Sequence, residues 1–422
     1  MTSTTPMAAV GGQEKPVWLT VSQERLMVWA LAGIQFSQIL DFMVMMPLGP
    51  SLMPALQINT QQFALLVSIY TLAAAGSGLL AATFVDFFER KALLLTLFAL
   101  FVLASLSCVL APDYATLLLT RGLAGMFGGV LGAMLQTIVG DAVPFERRGK
   151  ASGTVMSAAA VASVIGVPAS LVLASKFGWQ WSFVAIALVA VVFWVLAACF
   201  VPRLPRPPAT APGRIVAQAL GRMGTVLRDR NHLLAMLFMA LGGFSTFTLI
   251  PYLALYLTSN VGLQVAQVPW VYAVGGAAGF FTARFIGTLA DRWGKVRTYR
   301  WLALLSMVPI LVQTHLSVTA FGWVLLCSTL FFTLVLGRAI PAMAITISAV
   351  QPPLRGTFMA LNSALQQLAC GGAAFLGGML VVQTPTGELD GYGSAGVLAL
   401  GLTACTVLLA GKIRMHTKPP AP

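Results

Sequence analysis

Charge is scarce in this chain, and acidic charge is the scarcest. Asp and Glu together number 12 among 422 residues, against 25 Lys and Arg, and charged residues make up only 9% of the chain. Soluble domains carry roughly 25% charged residues, and a chain that is 58% apolar cannot hide its apolar surface from water. The composition therefore excludes soluble, disordered and nucleic-acid-binding classes and leaves an integral membrane protein.

Cysteine and histidine are also few. The five cysteines lie in apolar runs without a Cys-x-x-Cys pair, and the three histidines are scattered. This pattern favours small buried side chains over a disulfide framework or a metal site. We expect no metal, no cofactor and no enzymatic activity, because paired buried carboxylates and a His-Glu-x-x-His sequence are both missing. A Walker phosphate-binding sequence is missing too, which argues against an ATP-driven pump.

Long apolar runs account for most of the chain. Twelve runs are each long enough to cross about 30 Å of hydrocarbon as an α-helix, and they lack the period-two alternation of a membrane β-barrel. The sequence therefore predicts an all-α membrane protein with twelve transmembrane spans. The spans cover approximately 26–50, 62–85, 92–111, 114–143, 152–174, 181–201, 233–257, 268–290, 301–318, 320–346, 357–382 and 394–411.

Basic residues are distributed unevenly between the two sides of the predicted membrane. The tails and the even-numbered connections carry nearly all of them, whereas the odd-numbered connections carry only Lys176. By the positive-inside rule, this asymmetry predicts that both termini are cytoplasmic. We expect a multi-pass protein of the cell membrane, and specifically of a bacterial inner membrane, whose bases face an anionic leaflet.

A polar stretch divides the chain into two halves. The predicted organisation is a cytoplasmic tail at 1–23, a six-helix bundle at 24–201, a basic linker at 202–232, a second six-helix bundle at 233–411 and a cytoplasmic tail at 412–422. Apolar residues of the linker recur at helical spacing opposite basic ones. This pattern fits a cationic helix on the membrane surface, and it fits an irregular basic linker equally well.

The two halves carry a repeated loop. Segment 82–91 reads ATFVDFFERK and segment 287–297 reads GTLADRWGKVR, so that Asp86 aligns with Asp291 at a separation of 205 positions. The pair Arg148-Gly149 recurs as Arg355-Gly356 at a separation of 207. Two features at nearly one separation indicate duplicated halves, which is the parallel repeat described for one large transporter fold.

The second loop resembles the cytoplasmic signature of the major facilitator superfamily, Gly-x-Leu-Ala-Asp-Arg-x-Gly-Arg/Lys. Arg121-x-x-x-Gly125 is similar to the family's second motif, and Gly166-Val-Pro168 resembles the Gly-Pro kink of its antiporter motif with one residue inserted. The drug:proton antiporter branch is the most similar subfamily. The resemblance implies two pseudo-symmetric six-helix bundles, with the first, fourth, seventh and tenth spans around a central cavity. We expect a monomer.

Charged loop residues form a predicted conformational latch. The resemblance suggests that Arg90 meets Asp141, and ion pairs of this kind can hold one state and break in the other. The alternative is that these charges serve only loop solvation and topology. The predicted latch residues are Asp86, Arg90, Asp141, Gly287, Asp291, Arg292, Gly294 and Lys295, and the predicted helix kink is at Gly166 and Pro168.

Four ionisable residues fall inside predicted spans, where charge is costly and indicates function. Asp41 is the only carboxylate deep in any span, and a rise of about 1.5 Å per residue places it near the depth of Arg121. We interpret Asp41 as the proton carrier and Arg121 as the group that tunes it. A permanent ion pair between the two spans is the alternative. The other two residues are Arg284, which can snorkel to the interface, and Arg338.

Polar and aromatic side chains in the expected cavity-lining spans are candidates for substrate contact. Methionine and aromatic walls with few polar anchors suit lipophilic compounds of varied shape. Arg338 can bind an anionic group or donate to carbonyls freed near Pro341. The candidate substrate-binding residues are Gln38, Met45, Gln136, Phe244, Phe247, Tyr252, Arg338, Asn362 and Gln366.

The sequence thus predicts a secondary active transporter that exports small lipophilic compounds in exchange for protons by alternating access. Its expected partners are a small-molecule substrate, protons and the lipid bilayer, with no nucleic acid. Export of sugar-like or anionic metabolites is the alternative, and it is favoured if Arg338 lines the cavity. A transport-inactive receptor or scaffold is the alternative from another class.

Overall fold

A computed structural model describes residues 20–85, 88–204 and 212–415 of the chain, and that part is almost entirely helical. A short antiparallel hairpin of β1 (Val382–Gln383) and β2 (Leu389–Asp390) precedes the last helix. The helices are α1 (Val21–Val44), α2 (Gly49–Leu56), α3 (Thr60–Phe84), α4 (Arg90–Val109), α5 (Tyr114–Ala142), α6 (Phe145–Val161), α7 (Val167–Phe177), α8 (Gln180–Phe200), α9 (Pro212–Arg228), α10 (Arg230–Phe247), α11 (Ile250–Ser259), α12 (Val268–Trp293), α13 (Lys295–Thr314), α14 (Phe321–Phe331), α15 (Ala339–Ser348), α16 (Arg355–Leu380) and α17 (Tyr392–Ala410).

Ten helical stretches of the described chain are long and apolar enough to cross a membrane. The two other predicted spans correspond to α13 and α16, which are helices of 20 and 26 residues. Both fall outside the ten because they carry more polar residues, such as Asn362 and Gln366 in α16. Together these helices form the predicted all-α arrangement of twelve spans.

Three predicted spans are interrupted rather than continuous. A π-helical turn at Ala162–Gly166 joins α6 to α7, and a second at Phe332–Leu336 precedes Arg338 and α15. The seventh span breaks between α10 and α11 at Thr248 and Leu249. Single π turns of this kind commonly occur at functional positions in helices.

Large apolar side chains cover much of the outer surface of the helices. Leu188 on α8 is 65% exposed, and Phe281 and Phe285 on α12 are 75% and 68% exposed. In water such a surface would be a liability, whereas in lipid it is the expected exterior of a spanning helix. The exposed apolar faces therefore agree with a multi-pass membrane protein.

Polar contacts bring several helix ends to one end of the molecule, which we call the basic face. Arg147 at the start of α6 pairs with Glu24 at the start of α1, with Nη2 to Oε2 at 2.7 Å. Asn231, at the start of α10, donates to the carbonyls of Ala349 and Arg414 at 3.0 and 2.9 Å. Both ends of the described chain thus lie at this face. Its assignment to the cytoplasm stays a prediction.

The two bundles pack closely in the half of the molecule remote from the basic face. An added Cβ at Gly276 of α12 would lie 2.9 Å from the Ser163 carbonyl oxygen in the first π turn. On α16, a Cβ at Gly371 would lie 2.9 Å from Leu72 of α3. At Gly276 the backbones of the two bundles approach within side-chain distance, and at Gly371 an added Cβ would displace side chains of α3.

The predicted linker contains a helix. α9 occupies 212–228, which agrees with the helical alternative for this segment, and its Val226 is fully buried while Leu220 and Leu227 are exposed. Residues 205–211 of the linker lie outside the described chain, as do 1–19 and 416–422. The domain boundaries and the membrane-surface position of α9 stay predictions.

Candidate functional site

Asp41 and Arg121 form a buried ion pair between α1 and α5. Arg121 Nη1 donates to Asp41 Oδ2 at 2.8 Å, and Nη2 reaches the Asp41 carbonyl oxygen at 3.4 Å. Ser105 of α4 donates its hydroxyl to the other carboxylate oxygen, Oδ1, at 2.7 Å. The relative exposures of the two charged side chains are only 0% and 1%. Both carboxylate oxygens are therefore hydrogen-bonded in a site that excludes water.

Aromatic rings enclose the charged end of Arg121. The Tyr70 ring lies 4.7 Å from the Arg121 Cζ atom, and the Phe183 ring lies 5.8 Å away. Such cation–π contacts strengthen when the cation is removed from water. The Tyr70 hydroxyl and Arg121 Nε have no hydrogen-bond partner among the described residues. The pair thus sits in a low-dielectric site whose charges interact strongly.

Stacked rings connect this pair to the second bundle. Tyr70 stacks on Phe42 with ring centroids 5.2 Å apart, and Phe42 stacks on Phe247 of α10 at 5.8 Å. Phe42 directly follows Asp41 in α1. Asp41 is therefore one residue away from a ring contact between the two bundles.

An apolar cavity of about 310 Å³ lies between the bundles beside these rings. Its wall includes three residues from the last turns of α1 and Met46 of the following turn, together with Phe247 and Phe332 from the second bundle. Methionine and aromatic side chains dominate the wall, which suits an apolar ligand. The α1 residues are Ile39, Phe42 and Met43.

A smaller cavity of about 150 Å³ lies within the second bundle and is lined by Arg338. The two cavities share Phe247 and Leu336 in their walls. Arg338 is 3% exposed, and no acidic side chain of the described chain forms a salt bridge with it. Its partners are hydroxyl oxygens, those of Thr403 at 2.8 Å, Ser245 at 3.1 Å, and Ser306 and Thr246 at 3.3 Å.

Three predicted substrate-contact residues meet at these cavities. Phe247 lines both, while Arg338 and Gln366 line the smaller one. Arg338 faces this cavity and donates to hydroxyls rather than to the backbone near Pro341. The anion-binding interpretation of Arg338 therefore has the geometry that it needs.

The other predicted substrate-contact residues line neither of these two cavities. Met45 is fully buried in the apolar core, directly before the cavity-lining Met46 in the turn that follows α1. Tyr252 is fully buried, and its hydroxyl donates to the Ala374 carbonyl, which ties α11 to α16. Gln38 donates to the Gly128 carbonyl at 2.7 Å. Asn362 is buried, whereas Gln136 and Phe244 are partly exposed.

Part of the predicted latch is assembled in the structure. Arg90 Nη1 lies 2.8 Å from Asp141 Oδ2, which joins the start of α4 to the end of α5. In the second loop, Lys295 Nζ donates to Ser348 Oγ at 2.8 Å, and Gly294 adopts a left-handed φ of +91° between α12 and α13. Asp291 and Arg292 are exposed, Gly287 is partly exposed, and Asp86 lies outside the described residues.

The predicted kink at Gly166 and Pro168 coincides with the first π turn. The turn ends at Gly166, and Pro168 occupies the first turn of α7, where it needs no backbone donor. A Cβ at Gly166 would lie 2.9 Å from Leu40 Cδ1 and 3.2 Å from Phe36 Cζ of α1. Both expected features, the irregular turn and the close helix approach, are present.

Several important side chains were absent from the sequence-based candidates. The spacing of Ile39, Phe42 and Met43 was a usable signal, because positions i, i+3 and i+4 share one helical face. The hydroxyls around Arg338 gave no signal. Ser and Thr in helices commonly bond their own backbone, as Thr246 does with the Gly242 carbonyl at 2.9 Å.

This architecture defines a class of protein. Two helical bundles around a cavity, with an ion pair buried beside it, are the arrangement of a secondary transporter that works by alternating access. The chain belongs to the Major Facilitator Superfamily, whose family model matches residues 31–374. It is therefore a membrane transporter of small molecules and not an enzyme.

Bacterial relatives support this assignment. The MFS-type transporter YbcL of Bacillus subtilis is 24% identical over 334 residues, which cover 79% of this chain and 83% of the relative. The inner membrane transport protein YdhP of Escherichia coli is 28% identical over 279 residues, which cover 65% and 69%. The match shows the family and leaves the transported compound open.

Solved structures share the fold at low sequence identity. A bacterial homolog of the human lysosomal transporter Spinster, in an inward-facing and occupied conformation, superposes with a TM-score of 0.76 at 16% identity, covering 95% of this chain and 100% of that one. A D-xylose–proton symporter gives 0.71 at 16% identity, covering 92% and 97%. Both describe the same arrangement of helices.

Proposed function

We propose that this transporter exports small lipophilic compounds in exchange for protons by alternating access, as a member of the drug:proton antiporter branch that its motifs resemble. Asp41 carries the proton, and Arg121 controls when the carboxyl group can take it. The basic face lies in the cytoplasm, in a bacterial inner membrane, and the chain works as a monomer.

The observation that carries this proposal is the buried Asp41–Arg121 pair directly beside the apolar cavity. Removing one member of a buried ion pair costs about 3–5 kcal/mol, because the other charge stays behind without water. Protonation of Asp41 has the same effect on Arg121. The proton therefore binds only when the bundles move so that water reaches Arg121, and this requirement couples protonation to a change of state.

Phe42 links the substrate cavity to the Asp41–Arg121 pair. That ring lines the apolar cavity, stacks on Phe247 and follows Asp41 in the chain. A ligand that displaces Phe42 thus also displaces Asp41 from Arg121. Exchange then follows, because the state that holds the substrate differs from the state that holds the proton.

The Arg90–Asp141 pair supports the proposed change of state. It joins two helices of one bundle at the basic face, with exposures of 14% and 40%. Partly exposed pairs contribute little stability on their own, about 0–1 kcal/mol. Such a contact suits a latch because it can break and re-form without a large barrier.

The test is transport by purified protein in liposomes with an imposed pH gradient. The neutral lipophilic dye phenylnaphthylamine serves as the probe. We expect Asp41→Asn to lose gradient-driven dye movement by at least about tenfold, while dye exchange without a gradient continues. Exchange without a gradient reports a folded carrier that still alternates.

Glu388→Gln is the matched control, because it neutralises an exposed acid in the β hairpin far from the pair. It should leave gradient-driven movement unchanged. Gradient-driven movement that persists undiminished in Asp41→Asn would show that this carboxyl group is not the proton carrier and that the pair only fastens α1 to α5.

A second candidate is export of anionic metabolites, and a specific observation favours it. Arg338 lines a cavity that shares two wall residues with the apolar cavity, and no carboxylate of the described chain pairs with it. The two candidates differ in the charge of the substrate, not in the transport cycle.

A further inference from the structure

Arg338 is a buried cation whose described partners are all neutral. Four hydroxyls surround its guanidinium between 2.8 and 3.3 Å, contributed by α10, α13 and α17. Hydroxyl dipoles orient toward a cation and reduce its desolvation penalty, but they leave its net charge in place. A buried charge of this kind is retained where a ligand or a partner of opposite sign completes it.

Comparison with the first bundle shows which partner Arg338 lacks. In the first bundle, Arg121 on the fourth span faces Asp41 of the first span. In the second bundle, Arg338 on the fourth span faces Ser245 and Thr246 of the first span. Asp41 and Thr246 are separated by 205 positions, the same separation as the repeated loop aspartates. Arg338 follows Arg121 by 217 positions and is therefore not its repeat counterpart, but the second bundle carries a hydroxyl at the position of the first bundle's carboxylate.

Space is available for an external acid group at this place. The cavity beside Arg338 measures about 150 Å³, and Gln366 and Thr246 also line it. A Cβ added at Gly242, in the same wall, would have no neighbour within 4 Å. The cavity is therefore open next to the guanidinium rather than filled by packed side chains.

The neighbouring cavity supplies the second half of the site. It measures about 310 Å³, is apolar, and meets the smaller cavity at Phe247 and Leu336. A ligand that spans both would place a polar group beside Arg338 and a larger apolar group against Phe42 and Met46. The geometry assigns opposite chemical characters to the two ends of one ligand.

We infer that the transported substrate is an amphipathic organic anion, with one carboxylate, sulfonate or phosphate group at Arg338 and an apolar body in the cavity between the bundles. This inference rests on the proposed transport function and names the substrate class for it. A single anionic group fits because one cation is present, and a guanidinium can donate two parallel hydrogen bonds to an acid group.

The charge of such a substrate changes the energetics of exchange. Export of an anion and entry of a proton each move net positive charge into the cell. A membrane potential that is negative inside therefore favours both the export of the anion and the entry of the proton. A neutral lipophilic substrate would respond to the potential only through the proton.

A matched pair of dyes tests the inference. Anilinonaphthalene sulfonate has the carbon skeleton of phenylnaphthylamine plus one sulfonate group, so the two differ at the group that Arg338 would bind. Binding to the purified full-length protein is measured by quenching of tryptophan fluorescence. We expect the sulfonate to bind at least about tenfold more tightly than the neutral dye, as one charge-assisted contact provides.

Variants at Arg338 locate that preference. Arg338→Gln should remove most of the tenfold preference and leave binding of the neutral dye unchanged, and Arg338→Lys should keep part of it. Arg284→Gln, which removes an exposed arginine of α12, is the control and should bind both dyes like the parent. Should Arg338→Gln fail to elute as a single species, Gly242→Leu fills the same cavity and should also abolish the preference.

Three results would overturn the inference. The first is equal binding of the two dyes by the parent protein, and the second is a preference for the sulfonate that survives both Arg338→Gln and Gly242→Leu. The third is an equal loss of affinity for both dyes in Arg338→Gln, which would indicate that the arginine is structural. The proposed proton coupling is tested separately. Asp41→Asn should retain the sulfonate preference even where gradient-driven transport is lost.

Discussion

Both bundles bury an arginine, but the two arginines have different hydrogen-bond partners. Arg121 in the first bundle meets a carboxylate at 2.8 Å, whereas Arg338 in the second meets only hydroxyls. In each bundle the first, third, fourth and sixth spans contribute to the surroundings of the arginine, so the scaffold is shared. The two sites therefore differ at Asp41 against Thr246, and Arg338 also lies about ten residues farther from the start of its span than Arg121 does.

Because their partners differ, the two arginines are suited to different tasks within one fold. A charge pair that is complete within the protein can change only by taking up or releasing a proton. A lone buried cation can change by taking up a ligand. In the proposed cycle, one half holds the proton site and the other holds the anion site, with Phe42 and Phe247 in contact between them.

The largest expected effect comes from breaking the complete pair. Arg121→Gln leaves Asp41 as an unpaired buried carboxylate and should lower the free energy of unfolding by about 3–5 kcal/mol. Arg338→Gln removes a charge that has no acid partner in the described chain but loses its hydrogen bonds to hydroxyls, so it should lower the free energy by less, about 1–3 kcal/mol. Thermal unfolding of the two variants in detergent measures the contrast.

The double variant Asp41→Asn/Arg121→Gln provides the control. It removes both charges and should be more stable than Arg121→Gln alone, because no unpaired buried charge remains. Equal destabilisation by Arg121→Gln and Arg338→Gln would mean that the two arginines have equivalent roles, and the contrast between the bundles would be lost.

The sequence predicted the scaffold better than the site. Twelve apolar runs, the loop repeat and the uneven placement of basic residues depend on composition and periodicity, which bilayer thickness constrains strongly. The Asp41–Arg121 pair was also accessible, because the rise per residue alone put both side chains at one depth. These predictions needed no knowledge of how the helices pack.

Side chains whose role depends on helix rotation were harder to predict. The sequence predicts Met45 as a substrate contact, whereas Met46 lines the cavity, since an apolar run does not show which of two adjacent side chains faces a cavity. It also predicts Tyr252, whose hydroxyl in the structure donates to the Ala374 carbonyl. The ring of hydroxyls around Arg338 comes from three helices far apart in the chain, so no local pattern could reveal it.

A second prediction concerns how the two bundles meet. Two neighbouring glycines of α12 pack against the two π turns. A Cβ at Gly276 would lie 2.9 Å from the Ser163 carbonyl oxygen in the first bundle, and a Cβ at Gly275 would clash with the Phe332 side chain in the second. Gly276→Val should therefore disfavour the packed state by about 1–3 kcal/mol. Exchange of dye in liposomes without a gradient should change several-fold.

Gly279→Val is the matched control on the same helix, since an added Cβ there has no neighbour within 4 Å. It should leave exchange close to that of the parent. Equal effects of the two variants would point to helix propensity rather than to contact between the bundles as the cause.

A third prediction gives Arg338 an acid partner within the protein. Thr246→Asp places a carboxylate on the helix that already supplies two of the hydroxyls bound to Arg338. The new acid should occupy the cation and weaken binding of anilinonaphthalene sulfonate by about tenfold or more. Thr246→Asn, which has nearly the same shape without the charge, should weaken it less. Equal loss in the two variants would assign the effect to volume, not to charge.

The smallest expected effect concerns how the fourth span of each bundle begins. Asp113 caps α5 by accepting the Thr116 backbone N–H at 2.8 Å, whereas Ala320 at the start of α14 has an extended backbone, φ −61° and ψ 140°, and no side-chain cap. Ala320→Asp should therefore raise the free energy of unfolding by about 1 kcal/mol, and Asp113→Ala should lower it.

The pH dependence of these caps distinguishes capping from other effects of the substitutions. The Thr116 hydrogen bonds hold the pKa of Asp113 below its usual value, so folding favours the charged carboxylate. Its contribution is complete above the usual pKa of an aspartate and is lost as the pH falls through the lowered value. The difference in thermal unfolding between the parent and Asp113→Ala should thus shrink in acid. A difference that stays constant with pH would mean that the carboxylate does not cap α5, and the contrast between the two helix starts would have no energetic basis.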